Sequence, residues 1–139
     1  MIGFVIATHG ALGSGLKSAV ELIAGDDYKI KAVELVHGEG PEEYEKRFRE
    51  ALVEMDEGDG VFVFVDFYGG TPCNTAMRCL RNSDIPCIIG VNLPMLLEAV
   101  TQSECSNIKE LEGNILEIGK AGITTLSEQI KILSNNMEN

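Results

Sequence analysis

Two short stretches of this 139-residue chain carry residue types that do chemistry together: Thr8-His9-Gly10, and Asp66 with the Gly69-Gly70-Thr71-Pro72 run behind it. A carboxylate beside an imidazole fixes the ring's tautomer, frees the opposite nitrogen to act as a nucleophile, and favours the cationic ring that forms once transfer begins. Gly10 lets the chain turn away from His9. Gly69, Gly70 and Thr71 can present backbone N–H groups and a hydroxyl to an anion at the start of a helix. Phosphoryl transfer needs little more than in-line partners and donors aimed at the equatorial oxygens. The expected site is a catalytic pair, His9 and Asp66, with Gly70 and Thr71 binding the phosphoryl group and no metal or other cofactor. Each piece also has a plainer use. A histidine after a strand is commonly a hydrogen-bonded loop residue, an aspartate caps helices or forms turns, and Gly-Gly-Thr-Pro occurs in ordinary loops. Only convergence in the fold separates the two readings.

His9 and Asp66 are far apart in sequence, so the elements must join them. Ile2 to Ala7 is an apolar run ending at Thr8-His9-Gly10, as for a strand buried on both faces. Leu16, Ala19, Val20 and Ile23 recur at helical spacing and stop at Gly25, and Lys31 to Val36 reads as a second strand. Pro41 opens a helix with Glu42 and Glu43 in its first turn and Tyr44, Phe48, Ala51, Leu52 and Met55 as its buried stripe. Gly60 to Val65 is the clearest strand and runs into Asp66, with a helix from about Cys73 to Leu80. A fourth strand fits Pro86 to Val91, and helices fit Met95 to Val100 and the Ile108, Leu111, Ile115, Ile118 stripe. This alternation predicts an α/β fold: a mostly parallel, doubly wound sheet with helices on both faces. In the order 2-1-3-4, strands one and three are neighbours whose connections leave to opposite faces. Their carboxyl ends then form the switch point at which ligands bind, with His9 and Asp66 side by side. After Gly122, the β-branched Ile123-Thr124-Thr125-Leu126 reads as a short C-terminal strand suited to an open edge, and the polar tail Ser134 to Asn139 is expected to fray.

Composition narrows the function classes. The length suits one domain over residues 1–139, without linker or repeat. A formal net charge of -11 argues against nucleic acid and anionic membranes, while favouring encounter with a basic protein partner. The start lacks the basic region and cleavage pattern of a signal peptide, and no apolar run approaches the ~20 residues that span a bilayer. A cytoplasmic protein is expected. Cys73, Cys79, Cys87 and Cys105 form no C-x-x-C pair, so they read as core residues rather than zinc ligands or disulfides, with Cys73 nearest the site. Gly10 to Ser18 nearly spells a phosphate-binding loop, but Leu16 separates the second required glycine from Lys17. Ser18 likewise spoils a G-x-G-x-x-G match, and a phosphoaspartate receiver needs acidic residues where Thr8-His9 stands. His37, in Val36-His37-Gly38-Glu39-Gly40, has no acidic partner in view and reads as a loop histidine.

Phe4 to Gly10, the Gly38-Glu39 turn, Asp66 with Gly69-Gly70-Thr71-Pro72 and Asn74, and Gly90-Val91-Asn92-Leu93-Pro94-Met95-Leu96 stand in the order of one known group. The chain closely resembles, over nearly its whole length, the mannose-family EIIA component of the bacterial phosphoenolpyruvate-dependent sugar phosphotransferase system. The resemblance implies that His9 is the phosphorylated histidine and Asp66 the carboxylate bonded to its imidazole. It places Thr71 where the family has Ser or Thr beside the phosphoryl group, with Gly70 as backbone neighbour. It implies HPr as donor, EIIB as acceptor, association with membrane EIIC and EIID subunits that select the sugar, and a homodimer that exchanges a C-terminal strand, here Ile123 to Leu126. The family's usual Trp is replaced by Tyr68, and its common proline before Gly38-Glu39 by His37. No EIIB domain follows, so a stand-alone subunit is expected.

Two alternatives stay open on sequence. Thr8-His9-Gly10 is similar to the R-H-G of histidine phosphatases, although Thr8 replaces the phosphate-clamping arginine and His37 is poorly placed as a second catalytic histidine. A regulatory domain that kept the fold without phosphotransfer is the other.

Overall fold

Successive residues of the first strand point to opposite sides, and both sets are apolar, so this strand must be covered twice. β1 (Gly3–His9) accordingly lies inside a four-stranded sheet of order β2-β1-β3-β4, between β2 (Lys29–Leu35) and β3 (Val61–Val65), with the short β4 (Cys87–Ile89) at the edge. Every pairing is parallel; in register, Ala7 of β1 faces Val65 of β3 and His9 faces Leu35 of β2. The computed structural model describes residues 1–138.

Each face has its own apolar layer. Phe4, Ile6, Phe62, Phe64 and Ile88 pack beneath α1 (Leu12–Ala24), α4 (Leu93–Thr101) and α5 (Ile108–Ala121). Val5, Ala7, Val33, Val63 and Val65 pack beneath α2 (Pro41–Met55) and α3 (Gly70–Leu80). The doubly wound fold and the strand order are those expected. Phe62 and Phe64 stack at 4.9 Å between centroids, and fully burying a side chain of this size contributes ~1.5–3 kcal/mol.

Local chemistry sets the helix ends. Pro41 and the acidic Glu42 and Glu43 open α2, whose Tyr44, Phe48 and Ala51 are buried; the Tyr44 hydroxyl donates to the Val33 carbonyl at 2.8 Å. Asn92 caps α4 by accepting from the Met95 N–H at 3.1 Å, while its amide donates to the Gly119 carbonyl of α5 at 2.9 Å. The Asn92 of the Gly90–Leu96 motif is therefore a brace between two helices.

The C-terminal strand is a correction. Ile123 to Thr125 lie outside the sheet, and α6 (Leu126–Glu138) follows, taking in most of the tail expected to fray. Thr125-Leu126-Ser127-Glu128 is a T-x-x-E start signal, and the Thr125 hydroxyl accepts from the Glu128 N–H at 3.1 Å. Capping at a helix start outweighs the β preference of two threonines. Asn139, the last residue of that tail, lies outside the described residues. No helix among the described residues is long and apolar enough to cross a membrane.

Candidate functional site

β1 and β3 run side by side, but α1 leaves towards one face and α3 towards the other. Their carboxyl ends therefore part, and the crevice between them holds the residues singled out by type. His9 is the last residue of β1 and Asp66 the first after β3. The His9 Nδ1 lies 2.8 Å from Asp66 Oδ2, which also accepts the His9 backbone N–H at 2.9 Å; Oδ1 accepts the Phe67 N–H at 3.0 Å. The carboxylate is nearly buried, 8% exposed, whereas the imidazole is 41% exposed. An ionised carboxylate only accepts, so the neutral form of this ring carries its proton on Nδ1 and keeps its lone pair on Nε2.

Nε2 points at the start of α3. A Cβ built on Gly70 would stand 2.8 Å from it, and Gly70 has φ +77°, so this close approach of backbone to ring requires glycine. Gly70 and Thr71 open α3, where backbone N–H groups have no intrahelical acceptor, and no side chain among the described residues caps this helix. Thr71 is half-buried at this helix start.

The other helix at the crevice is closed to an anion. The buried Thr8 hydroxyl accepts the Gly13 N–H at 2.9 Å, and the Glu34 carboxylate takes the Ser14 N–H at 2.9 Å and its hydroxyl at 2.8 Å. The first turn of α1 is thus already filled, in part by a negative charge. These roles were not legible in sequence: Thr8 stood out only as the polar residue before His9, and nothing marked Glu34, a charged residue within β2. Phe67 was also missed. Its ring centroid lies 5.2 Å from that of His9, although it is 54% exposed.

His37 is exposed in the connection after β2 and makes no hydrogen bond to His9 or Asp66. The neighbouring Glu39 is held by Arg47 through two bonds of 2.7 Å, and this guanidinium keeps its carboxyl below the usual range. Cys73 is buried in the layer beneath α3 with Val63 and Val65. Burial pushes the Cys87 thiol up to about 12, which leaves it un-ionised at neutral pH.

Fold and crevice together define a small α/β protein built around one oriented, accessible imidazole at a switch point. Residues 3–116 match the EIIA-man family, described as the PTS system fructose IIA component, and the chain belongs to that family. It is 30% identical over 132 residues to the fructose-specific EIIA component of Bacillus subtilis strain 168, covering 94% of this chain and 90% of that protein. It is 31% identical to the mannose-specific EIIAB component of Escherichia coli K12 over 90% of this chain, but spans only 39% of that longer protein. The crystal structure of EIIA from Streptococcus agalactiae superposes with a TM-score of 0.81 at 25% identity, over 92% of this chain and 99% of that one. The chain is thus a phosphocarrier component of a sugar phosphotransferase system.

Proposed function

We propose that His9 accepts a phosphoryl group on Nε2 from the phosphohistidine of HPr and passes it to a histidine of EIIB. The observation that carries this reading is the Nδ1–Asp66 contact of 2.8 Å, which leaves Nε2 as the nucleophile beside an uncapped helix start. The Nε2 lone pair forms a bond to phosphorus as the donor's P–N bond breaks. The ring becomes cationic, and Asp66 offsets that charge. Gly70 and Thr71 receive the phosphoryl oxygens through N–H groups and a hydroxyl, with neither metal nor nucleotide. Transfer to EIIB is the same step reversed, on a cytoplasmic protein that serves membrane EIIC and EIID subunits. Residues 1–139 act as one EIIA domain.

We further infer a homodimer. The C-terminal segment exposes Ile123, Leu126, Ile130 and Leu133 on its surface, and β4 is an edge strand on which the Glu112 carboxylate takes the Cys87 N–H. A second copy would cover both.

Incubation with phosphoenolpyruvate, Enzyme I and HPr, read by intact mass, tests the reading. Wild type and His37→Ala should each gain one phosphoryl group, and His9→Ala none. Labelling that survives His9→Ala would overturn the assignment, and failure of the wild type to label would favour a purely regulatory domain.

A further inference from the structure

We propose that Phe67 is a positioning residue for this transfer: its ring shelves the His9 imidazole and shields the Nε2 side from water, so that the phosphorylated ring outlasts the wait for a protein acceptor. The proposal rests on His9 being the carrier.

Four of the five phenylalanines are buried, as apolar rings should be; Phe67 alone stands at the surface, 54% exposed. It is not loose there. Asp66 holds His9 through Oδ2 and Phe67 through Oδ1, so one carboxylate sets both residues. The two rings lie 5.2 Å apart between centroids at 42°, within the range of a tilted aromatic contact. A point beside Gly70, at the site of its missing Cβ, is 2.8 Å from His9 Nε2 and 3.8 Å from Phe67 Cζ. The tip of the phenyl ring therefore flanks the same small space as the reacting nitrogen.

Loss to solvent competes with transfer at that nitrogen. A water oxygen bonds to phosphorus as the P–Nε2 bond breaks; the electron pair stays on Nε2, and the two water protons end on the departing phosphate. An apolar ring over one side removes part of the volume from which water attacks. The same ring faces an imidazole that is cationic while phosphorylated, and an exposed aromatic–cation contact corresponds to about a two- to fivefold effect. The exposed side of Phe67 remains free for an acceptor protein to press against, which closes the site only during transfer.

The test uses phosphoramidate, a small-molecule donor, to load the full-length chain without any partner protein. Phosphorus NMR then follows the phosphohistidine, and proton NMR follows the His9 ring resonances. Phe67→Leu keeps an apolar side chain but removes the π face. It should shorten the phosphohistidine half-life about two- to fivefold and abolish the ring-current displacement of the His9 ring protons. Phe67→Tyr should restore both. Label at His9 with equal half-lives in wild type and Phe67→Leu overturns this proposal alone, as does a Phe67→Tyr variant that decays as fast as Phe67→Leu. A wild-type chain that takes no label at His9 overturns the carrier reading, and this proposal with it.

Discussion

Position 70 has no room for a side chain where the chemistry would occur. Gly70→Ala would place a methyl group against Nε2 and force a non-glycine residue to φ +77°. Left-handed backbone costs roughly 1–2 kcal/mol, and a small misplacement of reacting groups slows a reaction on the order of 10²-fold. The variant should melt slightly below wild type and take phosphoryl from HPr about 10²-fold more slowly, measured as the rate of labelling. Labelling at the wild-type rate would remove Gly70 from the site. At this scale the sequence was most informative. A histidine, a carboxylate and a Gly-Gly-Thr run are recognisable by type, and strand order alone was enough to pair them. Phe67 was not legible, because an aromatic residue after a strand ordinarily marks core, and only the open crevice leaves it exposed.

Elements were legible where one signal dominated. β3 is uniformly apolar and α2 begins at a proline, and both came out within a residue of expectation. The start of α3 lies earlier than its apolar pattern, since Gly70 and Thr71 bury little and enter the helix through backbone conformation alone. The Ile123 to Leu126 segment carried two signals, and the capping pattern of Thr125 and Glu128 prevailed over β propensity. The connection after β2 is set by a third kind of contact, the Arg47 clamp on Glu39, whose carboxyl is only 8% exposed. Hydrogen bonding to Arg47 lowers the Glu39 pKa, with backbone donation from Val36 adding to it and desolvation opposing. A carboxylate lowered on folding stabilises fully above its unfolded value, about 4.3, and loses that contribution as pH falls through the lowered folded value. The guanidinium is substantially exposed, so about 0.2–1 kcal/mol is at stake. Denaturant titrations below about pH 4.3 should show wild type losing stability faster than Arg47→Met. Parallel acid limbs would mean that the clamp contributes nothing.

For the whole molecule, the exposed C-terminal segment is the feature an isolated chain explains least. Apolar residues spaced along one side of α6, with Leu126 77% and Leu133 62% exposed, need cover. Truncation before Gly122 leaves both apolar layers of the sheet intact, since their buried members end at Ile115. Light scattering at micromolar concentration should show a dimer for the full chain and a folded monomer for the truncated one. A full-length monomer would rule the dimer out. The helical spacing of Leu126, Ile130 and Leu133 was present in the sequence but was overshadowed by the β-branched Ile123-Thr124-Thr125 before it, and the exposure of that side could not be read from spacing at all.

The proposed chemistry turns on one atom: the phosphoryl group bonds to Nε2 of His9 because Asp66 occupies Nδ1. Nitrogen–phosphorus correlation NMR on protein labelled with nitrogen-15 histidine, after loading through HPr, reads this directly. The expected result is a single coupling to Nε2 of His9, with the Nδ1 proton retained. A phosphoryl group on Nδ1, or on His37, would contradict it.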